Sequence, residues 1–407
     1  MDIRVLLIFG LITIFSLFLL WKENLLEKNK YIFFAVLLLG IAFAVRATLL
    51  EYRSGDYNSF LIKWVDYYRQ NGGFKALSTS LGNYNLPYLY FLALFSYSSI
   101  NDLYLIKLLS IFFDVILAFG MLKLCSVFTE SKAKRLAVFL IIMLLPTVVL
   151  NGAMWGQCDS IYVAFAVLSL WAVLSGKGKL SMVFLALSFG FKLQAVFIIP
   201  VFLVMLFAKR IKFRDYFIFP LSYLLLISPA VIAGRPFKEA FLLYFDQATT
   251  VGSGLNYNSP SLFSLVSGNV NNSAASAVGV AATFICVFLV FYLTWKQRKN
   301  LSDKALLFVT LLFVVGIPFL LPHMHDRYFF MADVLTLLPA IIAPAFAPIA
   351  IMTSLASLIC YFAYFNQAYF LPLQYGTILL IGVLVILLIN TLYLINSNRG
   401  PKPFLQT

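Results

Sequence analysis

Charged residues are scarce in this chain. Only 11% of its 407 residues are Asp, Glu, Lys or Arg, whereas a soluble domain carries roughly 25%. Hydrophobic residues make up 62% of the sequence, and the mean hydropathy is +0.94. This balance excludes a soluble globular protein. Because a membrane-crossing helix needs about 20 mainly apolar residues, we expect a polytopic membrane protein with on the order of a dozen crossings and no folded soluble domain.

Cysteine and histidine are also rare. No two of the four cysteines have the spacing of a disulfide framework or of a metal site, so we expect neither disulfides nor zinc. The first apolar run, residues 5–21, is not followed by a small-residue cleavage site. We interpret it as a retained first helix.

Basic residues outnumber acidic ones, 30 to 16, which gives a net charge of +14. They lie in short loops between apolar runs, a pattern that sets membrane topology and does not indicate nucleic-acid binding. The basic loops are expected to face the cytoplasm. The polar stretches with few basic residues then face outward, and they are residues 51–82, 151–159, 234–273 and 322–328.

The predicted fold is an all-α transmembrane helix bundle of about 12–13 membrane segments, forming a single domain over 1–407. We expect a catalytic module over about 30–335 and C-terminal helices over 336–407. Residues 83–99 are predicted to form a re-entrant or interfacial helix broken at Pro87. Residues 180–208 have basic loops at both ends, so they are predicted to form two half-helices that meet at Lys192.

An amphipathic helix is predicted in the first outer stretch, lying on the outer membrane surface. Its apolar residues recur at helical spacing, and they are Tyr57, Phe60, Leu61, Trp64, Val65 and Tyr68.

The sharpest polar cluster contains both histidines of the chain, and its members are His323, His325, Asp326, Arg327 and Tyr328. A divalent metal is one possible ligand, but further ligands would have to come from elsewhere in the chain. Phosphate is the better match, because the planar fork of an arginine side chain complements phosphate oxygens. A polar loop without a ligand is the remaining alternative.

Two acids in the outer stretches are candidates for proton transfer. Asp56 directly precedes the amphipathic helix, where it would accept a proton from a substrate hydroxyl or cap the helix. Asp159 follows Trp155 and Gln157, which would offer a sugar an indole face and an amide group. Capping of the next helix is the alternative role for Asp159.

Ionisable residues inside apolar runs are costly, so each is a candidate for a functional role. Lys192 would bind a lipid-linked phosphate at the apex of its broken hairpin, or else extend to the interface. Lys107 and Asp114 lie seven residues apart, and we expect them to form a structural pair. The polar stretch over residues 246–272 would be a mobile loop over a site or a passive connector.

Taken in order, these features resemble the GT-C superfamily of integral-membrane glycosyltransferases, nearest to the bacterial proteins similar to the mannosyltransferases of glycosylphosphatidylinositol synthesis. The resemblance covers residues from about 30 to about 335, and its most specific element is the run from His323 to Phe329. The family often has Glu where this chain has Asp326. The other residues that carry the resemblance are Gly55, Asp56, the run from Asn83 to Pro87, Lys107, Asp114, Trp155, Gly156, Gln157, Asp159 and Lys192.

The resemblance implies an inverting transfer of a sugar, mannose-like or other, from a polyprenyl-phosphate donor to a glycan, lipid or protein acceptor outside the membrane. It also implies that Asp56 is the base. Because cations stabilise a developing negative charge, Arg327, His325 and Lys192 are the candidates for stabilising the phosphate. Gln157 and Asp159 would orient the donor or the acceptor. Some members of the wider superfamily use a metal, so a divalent metal stays possible and no other cofactor is expected.

Two further functions remain open on the sequence alone. The chain would be a transporter or flippase of lipid-linked sugar, or a glycan polymerase of the same pathway. We expect a bacterial plasma membrane with the site facing outward, and membrane lipids as partners.

Overall fold

The computed structural model describes residues 2–82, 84–249, 252–266 and 271–396, and its regular structure is almost entirely helical. The α-helices are α1 Ile3–Lys22, α2 Asn29–Leu49, α3 Ile62–Gln70, α4 Leu86–Phe95, α5 Asp102–Cys125, α6 Lys132–Leu144, α7 Pro146–Val149, α8 Asp159–Leu174, α9 Gly178–Phe191, α10 Ile199–Phe207, α11 Ile218–Ile232, α12 Phe237–Thr249, α13 Asn272–Lys296, α14 Asp303–Leu320, α15 Phe330–Leu335, α16 Leu337–Ile342, α17 Ala347–Asn366 and α18 Leu373–Asn396. The predicted all-α class is confirmed for this part of the chain.

Shorter elements complete the described structure. Segments of π-helix occupy Tyr57–Leu61 and Leu150–Trp155, and 3₁₀ segments occupy Gly73–Ser78, Leu193–Phe197, Phe213–Phe217, Leu262–Leu265 and Pro344–Phe346. Two strands of two residues each, β1 Asn256–Tyr257 and β2 Met324–His325, pair in parallel.

Eight helices of the described residues are long and apolar enough to cross a membrane. They are α1, α2, α5, α11 with its preceding 3₁₀ turn, α13, α14, α17 with its preceding turn, and α18. A ninth is reached if α6 and Pro146–Trp155, which meet at a bend of 47°, are counted as one span. By length and composition the chain is therefore a multi-pass helical bundle. The number of 12–13 segments stays a prediction.

Burial separates central helices from peripheral ones. In α5 and in α14, 72% of the most apolar 18-residue window is buried, against 11% in α13. Large apolar side chains therefore cover the outside of α13, among them Phe284, Phe288 and Tyr292. A helix that is apolar on its exposed face is typical of contact with lipid. The interior of the bundle is built around α5, which packs extensively on α8 and α6.

The predicted break at Lys192 is confirmed. Helix α9 ends at Phe191, and Lys192 has an extended backbone with φ −154° and ψ 136°. A 3₁₀ turn and α10 follow. The Lys192 N–H donates to the carbonyl of Ser188 at 3.2 Å, and its carbonyl accepts from Ala195 at 3.2 Å. These bonds satisfy the irregular backbone inside an apolar region.

Pro87 lies in the first turn of a helix and does not break one, so this detail of the prediction was wrong. The Asn85 side chain accepts from the Leu86 N–H at 2.9 Å, and Pro87 occupies the first turn of α4. An N–H is not needed at this position, and the fixed φ of proline suits it. Asn83, at the start of the predicted segment, lies outside the described residues.

The amphipathic helix predicted after Asp56 is present as Tyr57–Leu61 and α3. Its buried face carries Tyr57, Leu61, Trp64, Val65 and Tyr68. Phe60, expected on the same face, is 51% exposed. The wider π-helical turn over Tyr57–Leu61 changes the angular position of the residues in that turn, which the assumption of a regular α-helix did not include.

The predicted pair between Lys107 and Asp114 is wrong. Asp114 is bound by Arg46 of α2, whose Nε and Nη2 donate to one carboxylate oxygen at 3.1 and 2.9 Å. Lys107 donates instead to the carbonyl oxygens of Leu49 and Tyr52, at 2.7 and 2.6 Å. Seven residues along a helix correspond to about 10 Å. Each of the two side chains therefore reaches a partner on or just after α2 more easily than it reaches the other.

Candidate functional site

Asp56 lies where three of the predicted outer stretches meet. The Trp155 indole Nε1 donates to Oδ2 of Asp56 at 3.0 Å, and Gln157 Nε2 donates to the same oxygen at 2.6 Å. Arg327 Nη1 lies 3.7 Å from this oxygen. The Asp56 side chain is 26% exposed. Two hydrogen-bond donors and a nearby cation from two other stretches therefore orient a partly accessible carboxylate.

The structure contradicts the helix-capping role considered for Asp56. Asp56 has helical backbone angles and no side-chain capping bond. Ser54 performs this role, since its Oγ accepts from the Tyr57 N–H at 3.2 Å and donates to the Trp155 carbonyl at 2.7 Å. The Asp56 carboxylate is left for contacts across the site.

Trp155 is fully buried and acts on Asp56 through its N–H. The Tyr364 ring stacks on it with centroids 3.9 Å apart and planes at 21°. The guanidinium carbon of Arg327 lies 5.4 Å from the indole centroid. These neighbours cover the ring, so the expected indole face for a sugar is not presented.

Asp159 is the centre of a second group of contacts. Its Oδ1 accepts from Lys192 Nζ, and its Oδ2 accepts from Asn151 Nδ2 at 2.8 Å. It is the first residue of α8 and does not cap that helix, which begins after Cys158. Lys192 is buried in this pair, so its extension to the interface is contradicted. The break after α9 is what brings the ammonium group to Asp159.

Arg327 connects the three acids of the site. Its Nε lies 3.8 Å from Asp159, and its Nη1 lies 3.7 Å from Asp56 and 3.6 Å from Asp326. All three separations exceed hydrogen-bond length, and Nε is buried without a hydrogen-bond partner among the described residues. The guanidinium is thus held by charge between the three acids, while its Nε donor remains unused.

Asp326 is buried beside Arg327 and Asn258. Asn258 Nδ2 lies 3.4 Å from Asp326 Oδ2 and donates to the Cys360 carbonyl at 3.0 Å. Burial raises the pKa of Asp326 to about 6, against the lowering effect of the Arg327 charge. This acid therefore titrates close to neutral pH, although its role could not be predicted from the sequence.

The two histidines have separate environments. His323 contacts the Gly254 carbonyl through Nδ1 at 2.6 Å and the Ser276 hydroxyl through Nε2 at 3.0 Å. It therefore anchors the loop before α13. His325 stacks on Tyr257 at 4.8 Å. Burial and the nearby Arg327 charge lower the pKa of His325 to about 4. Near neutral pH His325 is uncharged, so it can donate an N–H but cannot be the expected cation.

The loop after α12 is attached to the cluster from His323 to Tyr328. Strand β1 pairs with β2, and the His323 N–H donates to the Leu255 carbonyl at 2.8 Å. Its described residues are thus fastened beside the site, which disfavours a freely mobile loop. Residues 250–251 and 267–270 lie outside the described chain.

Gln157 and Tyr328 extend the site in two directions. Gln157 Oε1 accepts from the Tyr84 hydroxyl at 2.8 Å while its amide nitrogen holds Asp56. Tyr328 lies between His325 and Phe197, with ring centroids 5.2 and 6.2 Å away. Phe197 belongs to the 3₁₀ turn that follows Lys192. This turn therefore links Lys192 to the cluster from His323 to Tyr328.

Helix α17 contributes residues that the sequence did not indicate. The Asp56 N–H donates to the Tyr364 hydroxyl at 3.2 Å, and Asn151 Nδ2 lies 3.2 Å from the Tyr361 hydroxyl. The site thus draws on residues beyond 335, the limit expected for the catalytic module. Tyr361 and Tyr364 lie in an apolar run without a recognisable motif, so only their spacing of three residues offered a signal.

A metal has no obvious ligand set here. The described residues contain no group of three or more His, Cys, Asp or Glu side chains arranged to hold a metal ion. Arg327 lies between the carboxylates of Asp56, Asp159 and Asp326. The guanidinium therefore already places a positive charge where a divalent ion would bind to these carboxylates. The residues present do not fit a divalent metal ion.

A polar pocket of about 340 Å³ lies beside this site but not in it. It is lined by Arg53, Tyr57, Ile62, Asp66, Arg69, residues 98–100, Asn101 and Asp102. Arg69 already pairs with Asp66 and Asp102, at 2.5 and 2.7 Å. The convergence of charged groups locates the candidate site better than the size of a surface depression.

A scan against models of known protein families finds none that matches, and a search of curated proteins finds no significantly similar sequence.

Proposed function

We propose that this protein is a glycosyltransferase that transfers a sugar from a polyprenyl-phosphate donor to a hydroxyl acceptor at the membrane surface. The observation that carries the proposal is the contact of Arg327 with Asp56 and Asp159 in one site. A carboxylate beside an unused guanidinium donor combines a base with a phosphate-binding group. The family resemblance of the sequence agrees with this combination.

The reaction assigned to the site is a single displacement with inversion. The acceptor oxygen forms a bond to the anomeric carbon of the sugar, and the bond from that carbon to the phosphate oxygen breaks. Asp56 takes the hydroxyl proton. The electron pair of the broken bond stays on the polyprenyl phosphate. This leaving group requires stabilisation of its charge more than it requires a proton.

Two cations are available for that charge. Arg327 presents Nε without a hydrogen-bond partner among the described residues, and Lys192 lies on the other side of Asp159. Fixed cations directed at a developing negative charge are a large catalytic contribution in a site shielded from water. His325, neutral near pH 7, adds a neutral donor at most.

The buried polar atoms around these cations also favour a polar ligand. Oxygen atoms of four side chains are buried without a hydrogen-bond partner in the described chain, and they belong to Asn151, Gln194, Asn258 and Asp326. Such atoms are costly unless a partner binds. Sugar hydroxyls are donors that would satisfy them.

The test is release of free polyprenyl phosphate by the purified full-length protein, supplied with polyprenyl-phosphate sugars and cell-envelope acceptors. Wild type is expected to release it, and Asp56→Asn is expected to lose about 10² to 10⁴-fold in rate. Asp66→Asn is the matched control, since Asp66 lies on α3 and pairs with Arg69 on the protein surface. Equal rates for Asp56→Asn and wild type would exclude Asp56 as the base. Transport of the intact donor into liposomes without its cleavage would overturn the enzyme assignment.

A further inference from the structure

A second cationic site lies at the end of α11, apart from the acids around Arg327. Arg235 follows Gly234, whose φ of 107° turns the chain after the helix. The Arg235 N–H donates back to the Ala230 carbonyl at 3.0 Å, so the backbone is firmly placed. Its side chain points inward, because the residue is only 3% exposed.

The guanidinium of Arg235 has one partner among the described residues. Its Nη2 donates to the Ser80 hydroxyl at 2.9 Å, whereas Nε and Nη1 are buried without a hydrogen-bond partner. No described carboxylate lies within ion-pair distance of it, although the negative charge of Glu239 on α12 acts on it from farther away. An arginine buried to this degree is expected to pair with an acid. Arg46, which is also buried, pairs with Asp114. A buried charge that has no carboxylate in direct contact is destabilising.

A second donor without a partner lies nearby. The Tyr68 hydroxyl on α3 is buried and makes no hydrogen bond within the described chain. Burial raises the pKa of Tyr68, and the positive charge of Arg235 acts in the opposite direction. The two groups are therefore close enough to interact electrostatically, and both offer hydrogens. Burial in turn lowers the pKa of Arg235.

We propose that Arg235, Tyr68 and Ser80 form an anion-binding site for a phosphate group. The unused nitrogens Nε and Nη1 together carry three N–H bonds, and Tyr68 adds an O–H. A phosphate has more acceptor oxygens than a carboxylate and matches the guanidinium fork. The proposal does not depend on the proposed transferase activity.

One end of the guanidinium contacts an exposed residue. Ser80, which covers Nη2, is itself exposed at the surface. Two exposed lysines are close in sequence to this pair. Lys75, on the 3₁₀ turn Gly73–Ser78, precedes Ser80, and Lys238, on α12, follows Arg235. Rotation of the Ser80 side chain would free Nη2 for a phosphate that approaches from that side. The phosphate would belong to a lipid headgroup or to a free phosphate ion.

The test measures the thermal unfolding midpoint of the full-length protein in a phosphate-free detergent. Sodium phosphate is compared with sodium chloride at equal ionic strength. In a second arm, phosphatidylcholine nanodiscs with and without phosphatidic acid are compared. Arg235→Gln removes the site, and Arg214→Gln is the control, because Arg214 is exposed at the opposite end of the α11 span.

A site for the free ion would be supported if phosphate stabilises wild type and Arg214→Gln, and if the apparent affinity for phosphate is at least about tenfold weaker in Arg235→Gln. The same pattern with phosphatidic acid alone would support a lipid headgroup. Identical responses of wild type and Arg235→Gln in both arms would overturn the proposal.

A third variant tests the site in case Arg235→Gln does not fold. Arg235→Met replaces an unpaired buried charge with an apolar side chain, a change that is often neutral or stabilising. We expect its midpoint without phosphate to equal or exceed that of wild type, and its response to phosphate to vanish. A midpoint well below that of wild type without phosphate, together with an undiminished response, would contradict both parts of the argument.

Discussion

Arg327 and Asp159 lie 3.8 Å apart, from guanidinium Nε to carboxylate Oδ2, although 168 positions separate them in the sequence. The carboxylate is also bound by Lys192 and Asn151. It is therefore satisfied without Arg327, while Arg327 keeps an unused donor. The guanidinium can therefore bind an incoming anion while Asp159 keeps its hydrogen bonds to Lys192 and Asn151.

Replacement of Arg327 by lysine should weaken donor binding. Lysine keeps the charge but loses the planar fork that matches phosphate oxygens. We expect KM for the polyprenyl-phosphate donor to rise about tenfold or more, a loss comparable to one hydrogen bond to a charged group. Arg210→Lys is the control, because Arg210 pairs with Asp303 at the surface. An unchanged KM in Arg327→Lys would exclude a bidentate phosphate contact.

The Trp155 indole N–H should contribute to the rate through Asp56. Trp155→Phe removes this donor but keeps an aromatic ring against Tyr364. A hydrogen bond to a charged group is worth about 1.5 to 3 kcal/mol, so we expect kcat to fall about 10- to 100-fold. KM for the donor should change little. Trp171→Phe, outside the site, should retain the wild-type rate, and a wild-type rate in Trp155→Phe would refute the orienting role.

Much of the bundle and several site residues were predictable from the sequence, because each left a local signal. Apolar runs indicated the helices, and basic loops at both ends of residues 180–208 indicated the break at Lys192. Partners far apart in sequence left no such signal. Asp114 pairs with Arg46 across 68 positions, and Tyr364 reaches Asp56 across 308. Only the packing of helices decides these contacts.

Asp326 should make stability depend on pH. Its pKa in the folded chain is raised to about 6 from 3.8. A raised pKa favours the folded state below the unfolded value, so this contribution is complete below about pH 4 and is lost as pH rises through about 6. The full effect is at most about 3 kcal/mol.

His325 acts in the opposite direction over the same range, since its pKa is lowered to about 4 from 6.5. Its contribution is present above about pH 6.5 and is lost as pH falls through about 4. The difference between wild type and Asp326→Asn isolates the acid. We expect wild type to lose unfolding free energy relative to Asp326→Asn between pH 4 and pH 7. A difference that is constant over this range would contradict the raised pKa.

The Arg46 and Asp114 pair should be important for stability and not for chemistry. Both side chains are fully buried, and Ser160 also donates to Asp114. Arg46→Met leaves a buried carboxylate without its cation, which is expected to cost about 3 to 5 kcal/mol. The double variant Arg46→Met with Asp114→Leu removes both charges, so it should recover most of this loss. Unfolding in detergent, followed with denaturant for the two single variants and the double variant, measures the coupling. Additive losses of stability in the double variant would mean that the pair does not stabilise the bundle as a unit. A loss of catalytic rate in the folded double variant would assign the pair a role in the site.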